Sequence, residues 1–130
     1  MNELSHGPVL VVEDHPVNRL LLQRVLELEG IEVIPAASIA EAEQVLEEVI
    51  PPVIVLDLHL PDGYGLDLAR KLKSDPAMAP VSIIACTAGP VANEQALARS
   101  VGCTEYVTKP LDTQRFANLV LSLIPAAAHH

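Results

Sequence analysis

Five short apolar runs punctuate the chain: PVLVV (8–12), IEVI (31–34), VIVL (53–56), VSIIA (81–85) and EYV (105–107). A longer stretch of helical periodicity follows each. Strand and helix alternating in this way predict a parallel α/β sheet with helices laid on its faces. The runs at 8–12, 53–56 and 81–85 are almost continuously apolar, as strands covered on both faces must be. Those at 31–34 and 105–107 are shorter or broken by an acid and are expected at the edges.

The intervening segments carry their own start and stop signals. Val17, Leu20, Leu21, Val25 and Leu28 follow helical spacing, with Pro16 suited to a first turn and Gly30 to a stop. Ser38 and Glu41 have capping-box spacing ahead of Ala42, Val45, Leu46 and Val49, and Pro51-Pro52 closes that segment. A third helix is expected from about Tyr64 to Ser74 and a fourth from Pro90 to Val101, with Gly102 as its stop. A fifth follows Asp112 and places Phe116, Leu119, Val120 and Leu123 on one face. No internal repeat or low-complexity linker appears, so residues 8–124 are expected to form one domain. Residues 1–7 are expected to be a tail, and residues 125–130, ending in PAAAHH, a linker with a tag remnant that removes His129 and His130 from consideration.

Seventeen Asp and Glu against eight Lys and Arg give a net charge of −9, which argues against direct binding to a nucleic-acid backbone. No apolar run approaches the roughly eighteen residues of a membrane span, and MNELSHGP lacks the form of a signal peptide, so a cytoplasmic location is expected. Cys86 and Cys103 sit in no metal-ligand or CxxC spacing and are expected to be reduced, buried thiols.

The chemistry collects at the carboxyl ends of the strands, where open parallel sheets bind ligands. The first strand runs into Glu13-Asp14, the third into Asp57 and the fourth into Thr87, and Lys109 follows the fifth. Three neighbouring carboxylates repel one another, and a single lysine cannot balance them. A hard divalent ion such as Mg²⁺, which prefers oxygen ligands and commonly bridges carboxylates to a phosphate, can. These residues point to phosphoryl chemistry.

Taken in order, VLVVEDHPVNR, VIVLDLHLPDGYG, the Thr87-Ala88 pair after VSIIAC, and YVTKP at 106–110 resemble the receiver domain of two-component response regulators, over Val9 to about Ile124. The resemblance implies a doubly wound, five-stranded parallel sheet of order 2-1-3-4-5 with five helices, the flavodoxin-like receiver fold. It implies that Asp57 accepts a phosphoryl group from a phosphohistidine on a histidine kinase or histidine phosphotransfer protein. Asp14 and Asp57 would then ligate Mg²⁺ directly, with Mn²⁺ able to substitute. Glu13 would act mainly through a water, and the His59 backbone carbonyl would complete the set. Lys109 would meet a phosphoryl oxygen, and Pro110 would follow a cis bond that aims it. Thr87 and Tyr106 would be the switch pair, Tyr106 being equally readable as a half-exposed strand aromatic, and His59 and Gly89 would tune the phosphoryl lifetime, with His59 also readable as a polar residue at a loop mouth. The output surface would be the fourth helix, fifth strand and fifth helix. His6 and His15 are assigned to the surface. Such a protein is not a conventional enzyme: it catalyses its own phosphorylation and slow self-hydrolysis. The EDHPVNR segment resembles receivers of hybrid kinases and phosphorelays, as well as stand-alone regulators.

Three rivals are weighed. A dehalogenase-like phosphatase wants a second acid two residues after its nucleophile, where this chain has His59. A flavodoxin-like cofactor protein wants a phosphate-cradling loop after strand one, where EDHPVNR brings negative charge. A phosphorylation-independent receiver-like interaction module would usually have lost the acid pair, the acceptor or the lysine, all present here.

Overall fold

The computed structural model describes residues 7–89 and 91–125. His6, Pro90, His129, His130 and most of the expected terminal segments lie outside that range. In chain order the elements are β1 (Val9–Val12), α1 (Pro16–Glu27), β2 (Val33–Ala36), α2 (Ile39–Leu46), β3 (Val53–Asp57), β4 (His59–Leu60), β5 (Gly63–Tyr64), α3 (Gly65–Lys73), β6 (Ser82–Thr87), α4 (Glu94–Val101), β7 (Glu105–Thr108) and α5 (Thr113–Leu123). Five of these strands form one parallel sheet in the order β2-β1-β3-β6-β7. This is the expected 2-1-3-4-5 order once the two-residue arms of the β4–β5 hairpin are passed over. That antiparallel hairpin is formed around the Pro61-Asp62-Gly63 turn.

Alternation along the strands divides the core, because successive side chains point to opposite faces. Leu10, Val12, Ile54, Leu56, Ile83 and Ala85 pack with Leu46, Leu66, Leu72 and Ala98 under α2, α3 and α4. Val9, Val11, Val53, Val55, Ile84 and Cys86 pack on the other face with Leu22, Leu26, Phe116 and Val120 of α1 and α5. The sheet is thus doubly wound, with β2 and β7 at its edges as expected. Cys86 and Cys103 are free and buried. Among the described residues, no helix is long and apolar enough to cross a membrane.

Three local expectations change. The second strand lies at Val33–Ala36 rather than 31–34: the buried Ile31 closes the preceding turn by donating its N–H to Leu26 O, and exposed Pro35 is tolerated because β2 is an edge strand. The fourth helix begins at Glu94 rather than near residue 90, because its N-cap, Asn93, is left-handed with φ 70°. It ends at Gly102, whose φ of 103° suits a glycine cap. The buried face of α1 is Leu22 and Leu26, with Val25 packed beside them. Val17, Leu20, Leu21 and Leu28, expected on the core side, face solvent. With apolar residues at 17, 20–22, 25, 26 and 28, more than one stripe fits the helical period, and only docking on the sheet selects one.

Ser38 and two acids fix the start of α2 near the site. Ser38 Oγ accepts from Glu41 N at 3.1 Å at the start of α2, as its spacing predicts. Glu41 reaches back to Ala37 N rather than to its cap residue. Asp62, in the hairpin turn, accepts from Ile39 N and Ala40 N, both at 3.0 Å, and pins the β3–α3 connection to the N-terminus of α2. Those two N–H donors hold the Asp62 carboxyl below the usual carboxylate range.

Candidate functional site

Asp57 closes the fully buried strand β3, in register with Cys86 of β6. The residue that follows it, Leu58, is held at both its N–H and its carbonyl. Leu58 N donates to Cys86 O at 2.9 Å and Gly65 N to Leu58 O at 2.7 Å, while a Cβ on Gly65 would stand 2.6 Å from Asp57 O. Gly65 therefore lets α3 start directly against the acceptor strand. Asp57 Oδ1 accepts from His59 N at 3.2 Å, and Oδ2 faces Lys109 Nζ at 3.5 Å.

Glu13 and Asp14 follow β1. One carboxylate oxygen each from Glu13, Asp14 and Asp57 lie within 4.8 Å of one another. Glu13 and Asp57 are buried and Asp14 is exposed. Arg19, one turn into α1, donates from Nη1 to Glu13 O at 2.9 Å and to Asp14 O at 3.2 Å. The acid loop is thereby tied to the helix that follows it. Lys109 comes after β7, and its N–H donates to Thr87 O at 2.8 Å. The Lys109–Pro110 bond is cis. The ammonium pairs first with Glu13 Oε1, at 2.5 Å, and only then with Asp57.

The charges explain the protonation behaviour. Burial pushes Asp57 above the usual carboxylate range and Glu13 adds to the rise, against the opposing pull of the His59 N–H and Lys109. Burial works against the Lys109 ammonium, but Glu13 and Asp57 outweigh it and keep its pKa above the ordinary value. Three carboxylates against one ammonium leave uncompensated negative charge, and the donor set is all oxygen. Both features fit a hard divalent cation. Cys86, beside Asp57 and Lys109, is pushed up to about 12 by burial and is held as the neutral thiol.

The structure thus gathers Glu13, Asp14, Asp57 and Lys109 from three strand ends. Thr87 is fully buried at the end of β6, its hydroxyl directed to Gly89 O at 3.4 Å. A Cβ on Gly89 would meet nothing within 4 Å. The His59 side chain is about half exposed and lies beside the Tyr64 ring, 5.6 Å between centroids. Tyr106 is half-buried on β7. His15 is exposed. Sequence reasoning missed Glu94, a buried acid that accepts from both tyrosines. As one of seventeen acids on a helix of mixed composition, it carries no local signal of its burial.

A family model described as the response regulator receiver domain matches residues 9–121. The polar-differentiation response regulator DivK of Brucella ovis is 32% identical over 116 residues, which cover 89% of this chain and 94% of that one. A response regulator receiver protein from Pseudomonas putida superposes with a TM-score of 0.84 at 29% identity, covering 90% of this chain and 97% of its own. A response regulator protein from Burkholderia pseudomallei, solved with a phosphorylated aspartic acid, a calcium ion and citrate, gives 0.78 at 25% identity, covering 94% and 68%.

Proposed function

This chain belongs to the response regulator receiver domain family, and from that premise we propose that it is a phosphoacceptor switch whose receiver domain spans residues 8–124. The observation that carries the proposal is the meeting of Asp57, Glu13, Asp14 and Lys109 at one end of the sheet. An Asp57 carboxylate oxygen attacks the phosphorus of a partner's phosphohistidine. The P–N bond breaks, its electron pair returns to the imidazole, and an aspartyl phosphate remains. The strand end, the His59 N–H and the close packing of Gly65 fix the carboxylate, so positioning is supplied in advance. Lys109 lies where charge grows on the phosphoryl oxygens. Mg²⁺, or Mn²⁺ in its place, would be held by Asp14, Asp57, the His59 carbonyl and, through water, Glu13, and when bound supplies neutralisation of the clustered charge. Hydrolysis returns the carboxylate and inorganic phosphate. Open space at Gly89 leaves a path for that water, and the half-exposed His59 ring flanks it.

Loading adds close to two negative charges and three acceptors at Asp57. Thr87 and Lys109 are drawn towards them, Tyr106 follows Thr87, and α4, β7 and α5 present the altered surface to an output partner. The donor protein docks beside the site rather than on that surface. Val17, Leu20 and Leu21 are exposed on α1, and Leu21 lines a cleft of about 420 Å³ with Asn18, Leu22, Lys109, Pro110 and Leu111. An apolar face next to the acceptor suits a histidine kinase or a histidine phosphotransfer protein, in a cytoplasmic relay.

Intact mass after incubation with acetyl phosphate tests the reading. One Mg²⁺-dependent phosphoryl addition, lost in Asp57→Ala, is expected. Unmodified protein under conditions where Mg²⁺ binds, and again after incubation with a phosphorylated histidine phosphotransfer protein, would replace the proposal with an interaction module that works without phosphorylation.

A further inference from the structure

Glu94 opens α4 and is only 4% exposed, yet acceptor chemistry at Asp57 makes no demand for a carboxylate there. Groups from three other parts of the fold converge on it. Tyr64 Oη, from β5, donates to its Oε2 at 2.6 Å, and Tyr106 Oη, from β7, donates to its Oε1 at 2.8 Å. His59 Nε2 lies 3.4 Å from Oε2. Burial alone would push the carboxyl up, but the two phenols, the His59 ring and the Thr87 hydroxyl outweigh it and hold it below the usual range. A buried carboxylate is costly without donors, and this one is supplied with them from every side.

One partner, Tyr106, is a side chain that the proposed function has to move, and another, His59, is tied to the acceptor. His59 follows the acceptor by two residues and gives its backbone N–H to Asp57 Oδ1. Its ring is therefore anchored at one end by the acceptor strand and at the other by α4. Thr87 and Tyr106 form the switch pair. A phosphoryl group on Asp57 brings three new acceptors into this neighbourhood, and Thr87 has one hydroxyl proton to give. Resting on the phosphoacceptor reading, we propose that Glu94 is a positioning residue: its carboxylate binds Tyr64, Tyr106 and the His59 ring together in the unloaded protein, and loading of Asp57 draws Thr87 from Gly89 O and the His59 ring from Glu94. Both tyrosines then change partner, and the first turn of α4 is released. The charge on the acceptor is thereby passed to the output helix through a side chain on that helix.

The chain contains two tyrosines and no tryptophan, so its intrinsic emission reports Tyr64 and Tyr106 alone. A phenol hydrogen-bonded to a carboxylate emits weakly, so release raises the signal. The test titrates the whole chain with beryllofluoride and Mg²⁺, a stable stand-in for the phosphoryl group, while ¹⁹F NMR follows its binding. Wild-type emission is expected to rise in step with the bound ¹⁹F resonance. Glu94→Gln is expected to emit strongly before loading, to change little afterwards, and to bind beryllofluoride about three- to tenfold more tightly, the worth of one hydrogen bond that no longer has to be broken. Tyr64→Phe and Tyr106→Phe assign the signal and keep the test open if Glu94→Gln does not fold. A bound ¹⁹F resonance with unchanged wild-type emission would overturn the role of Glu94 alone. Absence of any bound resonance would overturn the phosphoacceptor reading, and this inference with it.

Discussion

Replacing Asp57 by asparagine should stabilise the metal-free protein, because the acceptor is held in place against its own electrostatics. Separations of no more than 4.8 Å from Glu13 and Asp14 correspond to repulsions of at least about 3.5 kcal/mol each at an effective dielectric of ~20, before solvent screening, and the 3.5 Å pair with Lys109 to an attraction of about 4.7 kcal/mol. Asp14 is exposed, and solvent screens its share. Desolvation of Asp57, the largest influence on its protonation, adds to the penalty. The net gain for Asp57→Asn at neutral pH should be about 1–2 kcal/mol, since asparagine keeps the acceptor for His59 N–H and sheds the charge. Urea unfolding with a chelator present would read it as a higher midpoint at unchanged slope. The advantage has a defined pH sign. A carboxyl whose pKa is raised on folding weakens the fold as pH climbs from its ordinary value of 3.8 through the folded one, so the two proteins should converge below pH 3.8. Mg²⁺ should reverse the order. At a hundred times its dissociation constant a ligand stabilises by about 2.7 kcal/mol, and the variant has lost one of the carboxylates. An Asp57→Asn protein that is less stable than wild type in chelator at pH 7 would refute this account of the site.

Three further outcomes follow from the geometry. Gly65→Ala should lose about 1–2 kcal/mol in urea unfolding despite the better helix propensity of alanine, because the new Cβ meets Asp57 O at 2.6 Å and Leu58 Cα at 2.9 Å; Gly89→Ala, with nothing within 4 Å, should stay within about 0.5 kcal/mol. The Tyr106 phenol, pushed up by burial and by Glu94 to about 12, should ionise well after free tyrosine in an alkaline absorbance titration. Its contribution to stability is whole below pH ~10 and is lost as the pH rises towards that value, and in Glu94→Gln the ionisation should return towards the ordinary range. Val17→Glu and Leu20→Glu, at positions 68% and 51% exposed, should leave unfolding within about 0.5 kcal/mol and labelling by acetyl phosphate unchanged, while slowing transfer from a phosphorylated histidine phosphotransfer protein at least tenfold; unchanged transfer would remove α1 from the docking surface.

The sheet was legible because its information is local. The nearly continuous apolar runs at 8–12, 53–56 and 81–85 can satisfy their burial only between two helical layers, and the structure buries all of those residues except Pro8 and Ser82, which are half-buried. The shorter runs fell to the edges for the same reason. What failed was local too, but underdetermined. In α1 several apolar stripes share one helix, and the sheet takes Leu22 and Leu26 while leaving Leu20 and Leu21 in solvent. At β2, Ile31 is as apolar as any strand residue but is consumed by the turn back from α1. No pattern of period two or 3.6 distinguishes those uses.

The candidate site divides along the same line. Asp57, Thr87 and the Glu13-Asp14 pair could be located because each ends a legible strand, and topology brings strand ends together. Which charge pairs with which could not be read. Lys109 reaches Glu13 at 2.5 Å before Asp57 at 3.5 Å, a choice set by how the residues after β7 lie against β1 and β3, 96 and 52 positions away in the chain. The preference leaves Asp57 the less compensated acid of the two, with its pKa raised. A nucleophile held short of full pairing is also one whose charge a cation or a phosphoryl donor can answer. Glu94 is hidden for the opposite reason. Its partners arrive from β5, β7 and β4, so its burial exists only in the folded chain, and a network of that kind can sense the acceptor without leaving a motif.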